Sequence, residues 1–447
     1  MSQSVQRPPS APARGLLACA LALCALALLA GAGSAAARPR ASAAGSSIQG
    51  GVNVPAVSSR LSPGQIAREI AYAARLHAKL VRLAVPWAML EPARGTIETQ
   101  AQADLDHVVE DAAADGIRVV AMVYSTPCWA SSAPARTLRR CKPGRETAAD
   151  AWPPTQASAF GSFCAYLAQR YGTRLAAIEI WNEPDEINEA YLAGPAKPAH
   201  YAALLRAAYP AIKQAAPGVA VLAGSLVGSN GVFLKALYAA GIKGYYDGLA
   251  VHYYHLTLAS VRSIHEVQLA NGDNTPLWLD EFGWSSCWPA RKLEQEQACV
   301  TPRTQAQNVT NTFRALARAP YVAAAVLYKL QDTAAESFGV LSAAGHGKPS
   351  FAALASAFSD PLGRISPVTL SLRRRGSSVV ASGSAPVGDF MALEAFQGSA
   401  LRYRALFTLN RFNRYSLTLP AALGTSGLRV RVYQFWAGAS RDAQKSI

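Results

Sequence analysis

Eight short apolar runs, alternating with longer amphipathic segments, occupy most of the middle of this 447-residue chain. Between Ile48 and about Ala357, the short runs are rich in β-branched residues, and the segments between them carry apolar residues at helical spacing. We place strands at Gln49–Val54, Leu80–Val85, Ile117–Tyr124, Ala177–Trp181, Ala220–Ala223, Gly248–Tyr254, Leu277–Glu281 and Ala323–Leu330. Eight strands separated by helices predict an α/β fold, a closed parallel (β/α)8 barrel.

Turn residues mark the ends of several intervening helices. We predict helices over Pro63–His77, over Ala101–Asp115, which Gly116 ends, and over Ala199–Ala216, which Pro217-Gly218 stops. Because loops after the strands of such a barrel carry its functional groups, the residues that follow each strand are the ones to examine for chemistry.

The pattern changes after Pro361. Apolar and polar residues alternate there, as in Val368–Leu372, Tyr403–Leu409 and Val430–Trp436, and helical spacing is lost. We therefore predict a barrel over residues 48–360 and a small C-terminal all-β, sandwich-like domain over 361–447, without a catalytic constellation of its own.

The N-terminal segment has the composition of a secretory signal. Arg7 and Arg14 precede an apolar run that begins at Leu16, and small residues follow as far as Ala37. We predict a signal peptide over 1–37, a flexible linker over 38–47, and a secreted or cell-envelope protein with no stable membrane span after cleavage. An uncleaved signal anchor is the alternative, because the apolar run could just cross a thin bilayer.

Five cysteines follow this segment. Cys128 with Cys141, and Cys287 with Cys299, would each close a short loop, and export makes disulfides chemically permissible. We predict these two bonds, each worth about 3 kcal/mol by chain entropy, although sequence alone does not prove the connectivity. Cys164 lies in a helical pattern and is predicted to be a buried thiol. No spacing resembles a metal site, so we expect neither a metal nor an organic cofactor.

The formal net charge is +15. Such a surface would attract anionic glycans, cell walls or phospholipid headgroups by long-range steering. General arginine-rich usage accounts for the same charge without any partner. We expect no nucleic-acid partner, because no dense basic run is interleaved with aromatic residues.

Two of the predicted strands deliver a glutamate at their carboxyl ends. Glu183 follows Trp181-Asn182, and Pro184 stops the strand there, while Glu281 ends a second apolar strand. Retaining hydrolysis of a glycosidic bond needs one carboxyl to protonate the leaving oxygen and another to attack the anomeric carbon, about 5 to 5.5 Å apart. Two strand-end glutamates in one barrel fit that requirement. The alternative is that each carboxylate caps a helix or forms a salt bridge.

These motifs resemble glycoside hydrolase clan A, in particular the β-xylosidase and α-iduronidase family and the related bacterial exopolysaccharide endoglycosidases. The resemblance covers most of Ile48–Ala357, and its main motif is Trp181-Asn182-Glu183-Pro184. Further matches are Lys79-Leu80-Val81-Arg82, Pro86-Trp87, Glu91-Pro92-x-x-Gly95, Thr126-Pro127-x-Trp129-Ala130, His252-Tyr253-Tyr254 and Lys348-Pro349-Ser350-Phe351.

The resemblance implies roles for individual residues. Glu183 would be the proton donor and Glu281 the nucleophile, while Asn182 would bond the 2-hydroxyl of the sugar in the transition state. Arg82 and Tyr254 would contact Glu281, and the positive charge of Arg82 would favour the ionised nucleophile.

Other candidate contacts keep two interpretations each. Arg82 could also be an internal partner of Glu179, and His252 could bond a sugar hydroxyl or be an internal barrel histidine. Candidate stacking residues, some of which could instead belong to the core, are Trp87, Trp129, Trp284, Tyr124 and Trp288. The last strand lacks the tryptophan that often forms the floor of the subsite in these enzymes, so Tyr328, Lys329 or Gln331 would take its place.

The sequence therefore predicts a secreted retaining glycoside hydrolase that cleaves O-glycosidic bonds of an extracellular or cell-wall polysaccharide by double displacement. Two alternatives remain open. One is a catalytically silent barrel that binds glycans, and the other is a transglycosylase that uses the same covalent intermediate.

Overall fold

The computed structural model describes residues 48–54, 61–254, 258–289, 299–386, 391–434 and 442–447. The predicted signal peptide and linker lie outside these residues. Within the described ranges, no helix has both the length and the apolar character that crossing a bilayer would need.

Eight parallel strands form a closed barrel in which each pairs with its neighbour in sequence, and the last pairs with the first. They are β1 (Gln49–Asn53), β2 (Leu80–Pro86), β3 (Arg118–Tyr124), β4 (Leu175–Ile180), β5 (Ala220–Leu226), β6 (Gly248–His252), β7 (Leu277–Phe282) and β8 (Val322–Leu327). The predicted fold class is confirmed. The strands are apolar almost throughout because helices cover the outside of the barrel while side chains fill the inside.

Helices connect the strands and pack around the barrel. They are α1 (Pro63–Arg75), α2 (Trp87–Leu90), α3 (Thr99–Ala114), α4 (Ala135–Leu138), α5 (Ala157–Tyr171), α6 (Lys197–Ala215), α7 (Val232–Ala239), α8 (Leu258–Ala270), α9 (Pro302–Leu316) and α10 (Pro349–Ser359). Local signals explain where several begin: Ser62 and Gln65 form a capping box at α1, and the Thr301 hydroxyl accepts a hydrogen bond from the backbone of Thr304 at α9.

The C-terminal region forms two antiparallel sheets. One contains β9 (Ser371–Arg375), β10 (Ser378–Ser384) and β13 (Arg414–Thr418), and the other contains β11 (Met391–Gln397), β12 (Ala400–Phe407), β14 (Leu428–Gln434) and β15 (Asp442–Ser446). Alternate residues of both sheets share one apolar core, which includes Val379 and Tyr415 from the first sheet and Leu393 and Val432 from the second. A sandwich-like β domain is therefore present, as predicted, while the boundary that we placed between residues 360 and 361 stays a prediction.

Buried amides join the β domain to helix α9. The Asn311 side chain donates a hydrogen bond to the carbonyl of Pro386 over 2.8 Å, and Asn413 donates to Asn308 over 2.6 Å.

The structure pairs the cysteines as predicted. Cys128 is bonded to Cys141 in the loop after β3, and Cys287 is bonded to Cys299 in the loop after β7, so both bonds brace the face of the barrel where the strands end. Cys164 is a buried free thiol on α5, and burial in apolar surroundings raises the pKa of its thiol.

Candidate active site

Glu183 reaches the mouth of the barrel through a sharp turn after β4. Trp181 and Glu183 both have left-handed backbone conformations, with φ of 71° and 40°, which side-chain-bearing residues seldom adopt. The buried indole of Trp181 holds this turn by donating to the carbonyl of Tyr191 over 2.7 Å. Unfavourable backbone angles secured by packing are common where a side chain must point into a functional site.

Glu281 lies within β7, next to Asp280, and both side chains are buried at the barrel mouth. A strict alternation of side chains would send one of the two outward. The pairing of β7 with β8 shifts register between Leu279 and Phe282, and such irregularities re-aim side chains.

The two glutamates meet. A carboxylate oxygen of Glu183 and one of Glu281 lie within 4.8 Å of each other. Nδ1 of His252 lies 2.8 Å from Glu183 and 3.6 Å from Glu281. The side chain of Glu183 is 17% exposed and that of Glu281 is 11% exposed, so both are largely shielded from solvent.

Arg82, on β2, binds the candidate nucleophile Glu281 and also the buried carboxylate of Glu179. Its Nη1 donates to Glu281 over 2.6 Å, and its Nε and Nη2 bind both oxygens of Glu179 over 2.7 and 2.9 Å. Arg82 therefore contacts both Glu281 and Glu179, the two partners that the sequence left open. Burial by itself would lower the pKa of Arg82, but the carboxylates of Glu179, Glu281 and Asp280 outweigh it and hold that pKa well above its usual range.

Asn182 is oriented by the same guanidinium. Nη2 of Arg82 donates to Oδ1 of Asn182 over 3.1 Å, which leaves the amide NH2 group as the donor available to a ligand. Asn182 is 5% exposed and lines the pocket beside Glu281.

His252 ends β6, Tyr254 follows two residues later, and the two side chains contact the two glutamates. The Tyr254 hydroxyl donates to Oε2 of Glu281, and burial together with the charge of Glu281 raises the pKa of Tyr254. Nδ1 of His252 lies 2.8 Å from Oε1 of Glu183, and Nε2 lies 3.5 Å from Asp280. Burial alone would lower the pKa of His252, but Glu281 and Asp280 raise it well above its ordinary value. With both ring nitrogens engaged, His252 acts as an internal partner of the site.

A second layer of carboxylates lies behind the pocket. Glu179 is fully buried and accepts a hydrogen bond from the hydroxyl of Ser225, and burial raises its pKa to about 8 against the opposing charge of Arg82. The neighbouring Asp280 keeps a lowered pKa, because the positive charges of His252 and Arg82 outweigh its burial. We interpret the pair as one protonated and one ionised carboxyl, which lets two acids share a buried site.

The pocket itself has a volume of about 310 Å³. Besides Arg82, Asn182 and Glu281, its lining includes Asn53, Tyr124, Tyr191, Tyr328, Lys329 and Gln331. All three residues that we considered as substitutes for a tryptophan therefore line it. Tyr191 and Asn53 were not predicted, because Tyr191 lies in a loop without regular spacing and Asn53 looks like an ordinary strand residue. Burial and the nearby carboxylates raise the pKa of Tyr191 to about 12.

Two of the tryptophans that we predicted to stack on sugars are buried in the core. Trp87 is fully buried between Phe160 and Phe163, with Nε1 bound to Glu91, and Trp284 is 3% exposed in the barrel core. The prediction that Trp87 and Trp284 stack on sugars is therefore wrong, because a ring buried in the core cannot contact a ligand.

Two further tryptophans lie outside the pocket. Trp129 is half-buried and lines a separate cavity with Arg94, and Trp288 lies beneath the guanidinium of Arg411 at 4.1 Å. Trp129 therefore remains a candidate for sugar binding, but not at the two glutamates.

Two groups of side chains have ligand atoms close enough to hold a cation. They are Glu179, His252 and Asp280, and Glu183, His252 and Glu281. The guanidinium of Arg82 already lies against Glu179, Asp280 and Glu281, so the positive charge that a metal would bring is supplied by an arginine. The donor chemistry is that of an ion-pair network.

No protein-family model and no curated protein matches this sequence. Solved structures do match. A family 39 glycoside hydrolase from Bacteroides cellulosilyticus WH2 superposes with a TM-score of 0.56 and 17% identity over 83% of this chain and 81% of that chain. The family 39 enzyme from Xanthomonas axonopodis pv. citri gives 0.53 and 14% identity over 83% and 91%, respectively. A family 30 endoxylanase from Clostridium papyrosolvens C71 gives 0.52 and 13% identity over 84% and 94%. The chain shares the fold of these clan A glycoside hydrolases.

Proposed function

We propose that this protein is a secreted retaining glycoside hydrolase that cleaves an O-glycosidic bond in an extracellular or cell-wall polysaccharide. One observation carries the proposal: Glu183, after β4, and Glu281, in β7, meet at one mouth of the barrel, with carboxylate oxygens within 4.8 Å of each other. Retaining enzymes hold their two carboxyls about 5 to 5.5 Å apart, whereas inverting enzymes leave about 6.5 to 9.5 Å for a water molecule. Similarity of fold to named glycosidases supports the same conclusion.

In the first step, Glu281 attacks the anomeric carbon while Glu183 transfers its proton to the departing glycosidic oxygen. The bond between that carbon and the oxygen breaks, and an ester between the sugar and Glu281 forms. Arg82 and Tyr254 hold the two oxygens of Glu281 before attack. When one of these oxygens attacks, it gives up its hydrogen bond and forms a bond to the sugar. Until then, Arg82 and Tyr254 hold the carboxylate in position.

In the second step, Glu183 acts as the base. It removes a proton from a water molecule, whose oxygen attacks the anomeric carbon and displaces Glu281. His252, 2.8 Å from Oε1 of Glu183, keeps the carboxyl aimed at the same point in both steps. Asn182 offers its NH2 group to the sugar hydroxyl next to the reacting carbon, where a hydrogen bond strengthens as positive charge develops.

Export is part of the proposal. The signal-like N-terminal segment and two disulfide bonds on the loops of the catalytic face are consistent with an oxidising compartment outside the cytoplasm. Electrophoresis of the exported and precursor forms, with N-terminal sequencing, tests the expected cleavage near Ala37.

The test of function is release of reducing ends from bacterial and plant polysaccharides, including xylans and acidic exopolysaccharides. Wild type should release them, and Glu281→Ala should lose at least about 1000-fold in rate while staying folded. Glu266→Ala on α8, an exposed glutamate away from the pocket, is the matched control and should keep full activity.

Stereochemistry tests the mechanism. NMR of the first product should show the anomeric configuration of the substrate, and azide with Glu281→Ala should yield a glycosyl azide of inverted configuration. A first product of inverted configuration, or full activity in Glu281→Ala, would show that the assignment is wrong. Tight binding without cleavage by either protein would establish a binding barrel instead.

A further inference from the structure

The loop between β3 and α5 carries an unusual concentration of positive charge. Six exposed cations lie on it and on the adjoining loop after β2, and we call them the basic rim: Arg94, Arg136, Arg139, Arg140, Lys142 and Arg145. Between residues 134 and 146 the only acidic residue is Glu146. Across the described ranges, none of the six side chains forms an ion pair or a side-chain hydrogen bond.

Three contacts hold the rim in place. The disulfide joins Cys141 to Cys128, with Cα atoms 5.7 Å apart, and the indole of Trp129 donates to the carbonyl of Glu91 over 2.9 Å. The loop also packs against the neighbouring one, since a Cβ atom at Gly144 would lie 3.7 Å from the Cβ of Pro92. The cations are therefore presented on a braced surface.

A cavity of about 430 Å³ opens at the edge of the rim. It is lined by Trp129, Arg94 and Tyr166, and the guanidinium of Arg94 lies 4.9 Å from the centre of the Trp129 ring. An indole supplies an apolar face that packs on sugar rings, and an exposed guanidinium supplies donors in the geometry that carboxylates bind. This combination suits a sugar unit that carries a carboxylate.

The rim approaches the pocket beside Glu281 through one residue. Tyr124 lines that pocket, and burial together with the charge of Glu146 raises the pKa of Tyr124. Glu146 follows Arg145 directly, so the last cation of the rim is next in sequence to a residue close to the pocket wall. A chain bound in the pocket could extend over it.

We propose that the basic rim, with the Trp129 cavity, is an accessory surface that binds a polysaccharide bearing carboxylates. The inference rests on the proposed function for the choice of a polysaccharide as the ligand, and its test needs no turnover.

Surfaces that enter membranes combine cations with exposed apolar side chains. Among the described residues, the large exposed apolar side chains are all elsewhere: Ile187, Val232, Leu269, Leu362, Leu401, Leu406 and Phe412. Single-stranded nucleic acids are bound by several successive aromatic platforms, and the rim has one tryptophan.

The experiment uses the full mature chain with Glu281→Ala, so that bound polymer is not consumed. The probe is polygalacturonate, and its fully methyl-esterified form is the neutral polymer of the same backbone. The rim variant is Arg139→Ala/Arg140→Ala/Lys142→Ala/Arg145→Ala. The control, Arg373→Ala/Arg375→Ala/Arg402→Ala/Lys445→Ala, removes the same number of charges from exposed positions of the β domain.

At low ionic strength the rim variant should raise the Kd for polygalacturonate roughly tenfold or more, and the control should change it less than about twofold. The esterified polymer should bind weakly to all three proteins. Arg94→Ala/Trp129→Phe should also weaken binding of polygalacturonate, through the cavity.

Several results would overturn the proposal. Unchanged binding by the rim variant, an equal loss in the control, or equal binding of the esterified polymer would each do so. Tighter binding of phosphatidylglycerol vesicles or duplex DNA, with the same dependence on the rim, would assign the surface to another polyanion. Failure of the proposed function is seen separately, as absent hydrolysis by wild type, and leaves the comparison of rim and control intact.

Discussion

The carboxylate pocket and the basic rim lie on one face of the barrel, but their charged side chains differ in burial and in pairing. In the pocket, Arg82 is buried and forms ion pairs with Glu179, Glu281 and Asp280 at once. On the rim, the cations are exposed and have no such partners within the described residues. Burying a charge is costly unless it is paired, whereas an exposed charge stays hydrated and remains available to a ligand. The paired charges of the pocket therefore suit a chemical reaction, whereas the exposed charges of the rim are available to bind an anionic ligand.

The largest effect should come from breaking the pocket network at its centre. Arg82→Met leaves several buried carboxylates without their cation and should lower the free energy of unfolding by about 3 to 5 kcal/mol. Urea denaturation measures it, with Arg139→Met on the rim as the control. A loss below about 1 kcal/mol in Arg82→Met would show that the carboxylates find other compensation, as by taking up protons.

The next effect concerns the bond that braces the rim. Cys128→Ser/Cys141→Ser should lower the free energy of unfolding by about 3 kcal/mol by the chain-entropy account, and should also weaken binding of polygalacturonate because the cations lose their fixed arrangement. Cys287→Ser/Cys299→Ser is the matched control for stability and should leave binding of the polymer unchanged. If both double variants bind the polymer as the parent does, bracing has no part in binding.

A smaller effect concerns the pH dependence of the free energy of unfolding, to which the buried carboxyls should contribute and the exposed charges should not. Glu179 has a pKa of about 8 in the folded protein, above its ordinary value, so between about pH 4.5 and 8 the folded state keeps a proton that the unfolded state has lost. This group therefore makes the protein less stable as the pH rises through that window. Glu179→Gln cannot titrate, so it should flatten the dependence by up to about 1.4 kcal/mol per pH unit within that window.

Chemical denaturation at pH 5 and pH 8 measures that slope. Glu266→Gln, an exposed glutamate on α8, serves as the control and should keep the slope of the wild type. An identical slope in Glu179→Gln would show that this carboxyl is ionised in the folded protein.

The smallest effect should come from one cation of the rim. Arg139→Ala removes an exposed, unpaired charge and should change the free energy of unfolding by less than about 0.5 kcal/mol. Its Kd for polygalacturonate should rise about twofold at low salt, and the difference should vanish at about 1 M salt because exposed charges are screened. A loss of affinity that persists at high salt would mean that Arg139 makes a specific contact rather than a long-range one.

Sequence reasoning predicted the barrel, and placed two glutamates at the ends of its strands, because these signals are local. A buried strand that ends in a polar residue is visible as letters, and the topology of parallel strands brings all such ends to one face. The resemblance to clan A, carried by Trp181 to Pro184, then suggested roles that the contacts of Asn182 and Tyr254 make physically reasonable.

Other features depended on packing. Trp87 and Trp129 are both tryptophans near strand ends, yet one is sealed in the core and the other is half-exposed. The register shift in β7 that turns both Asp280 and Glu281 inward leaves no periodic signal.

By itself, the sequence determined the fold class, the β domain and the strand ends at which chemistry could occur, because periodicity and turn residues are properties of neighbouring residues. Only the tertiary structure decided that one arginine contacts three carboxylates, that Glu179 shares its site with Asp280, and that Arg94 joins the cations of residues 136–145 in one rim. Those outcomes depend on distances between residues far apart in the chain, and on burial, which sets what each charge costs.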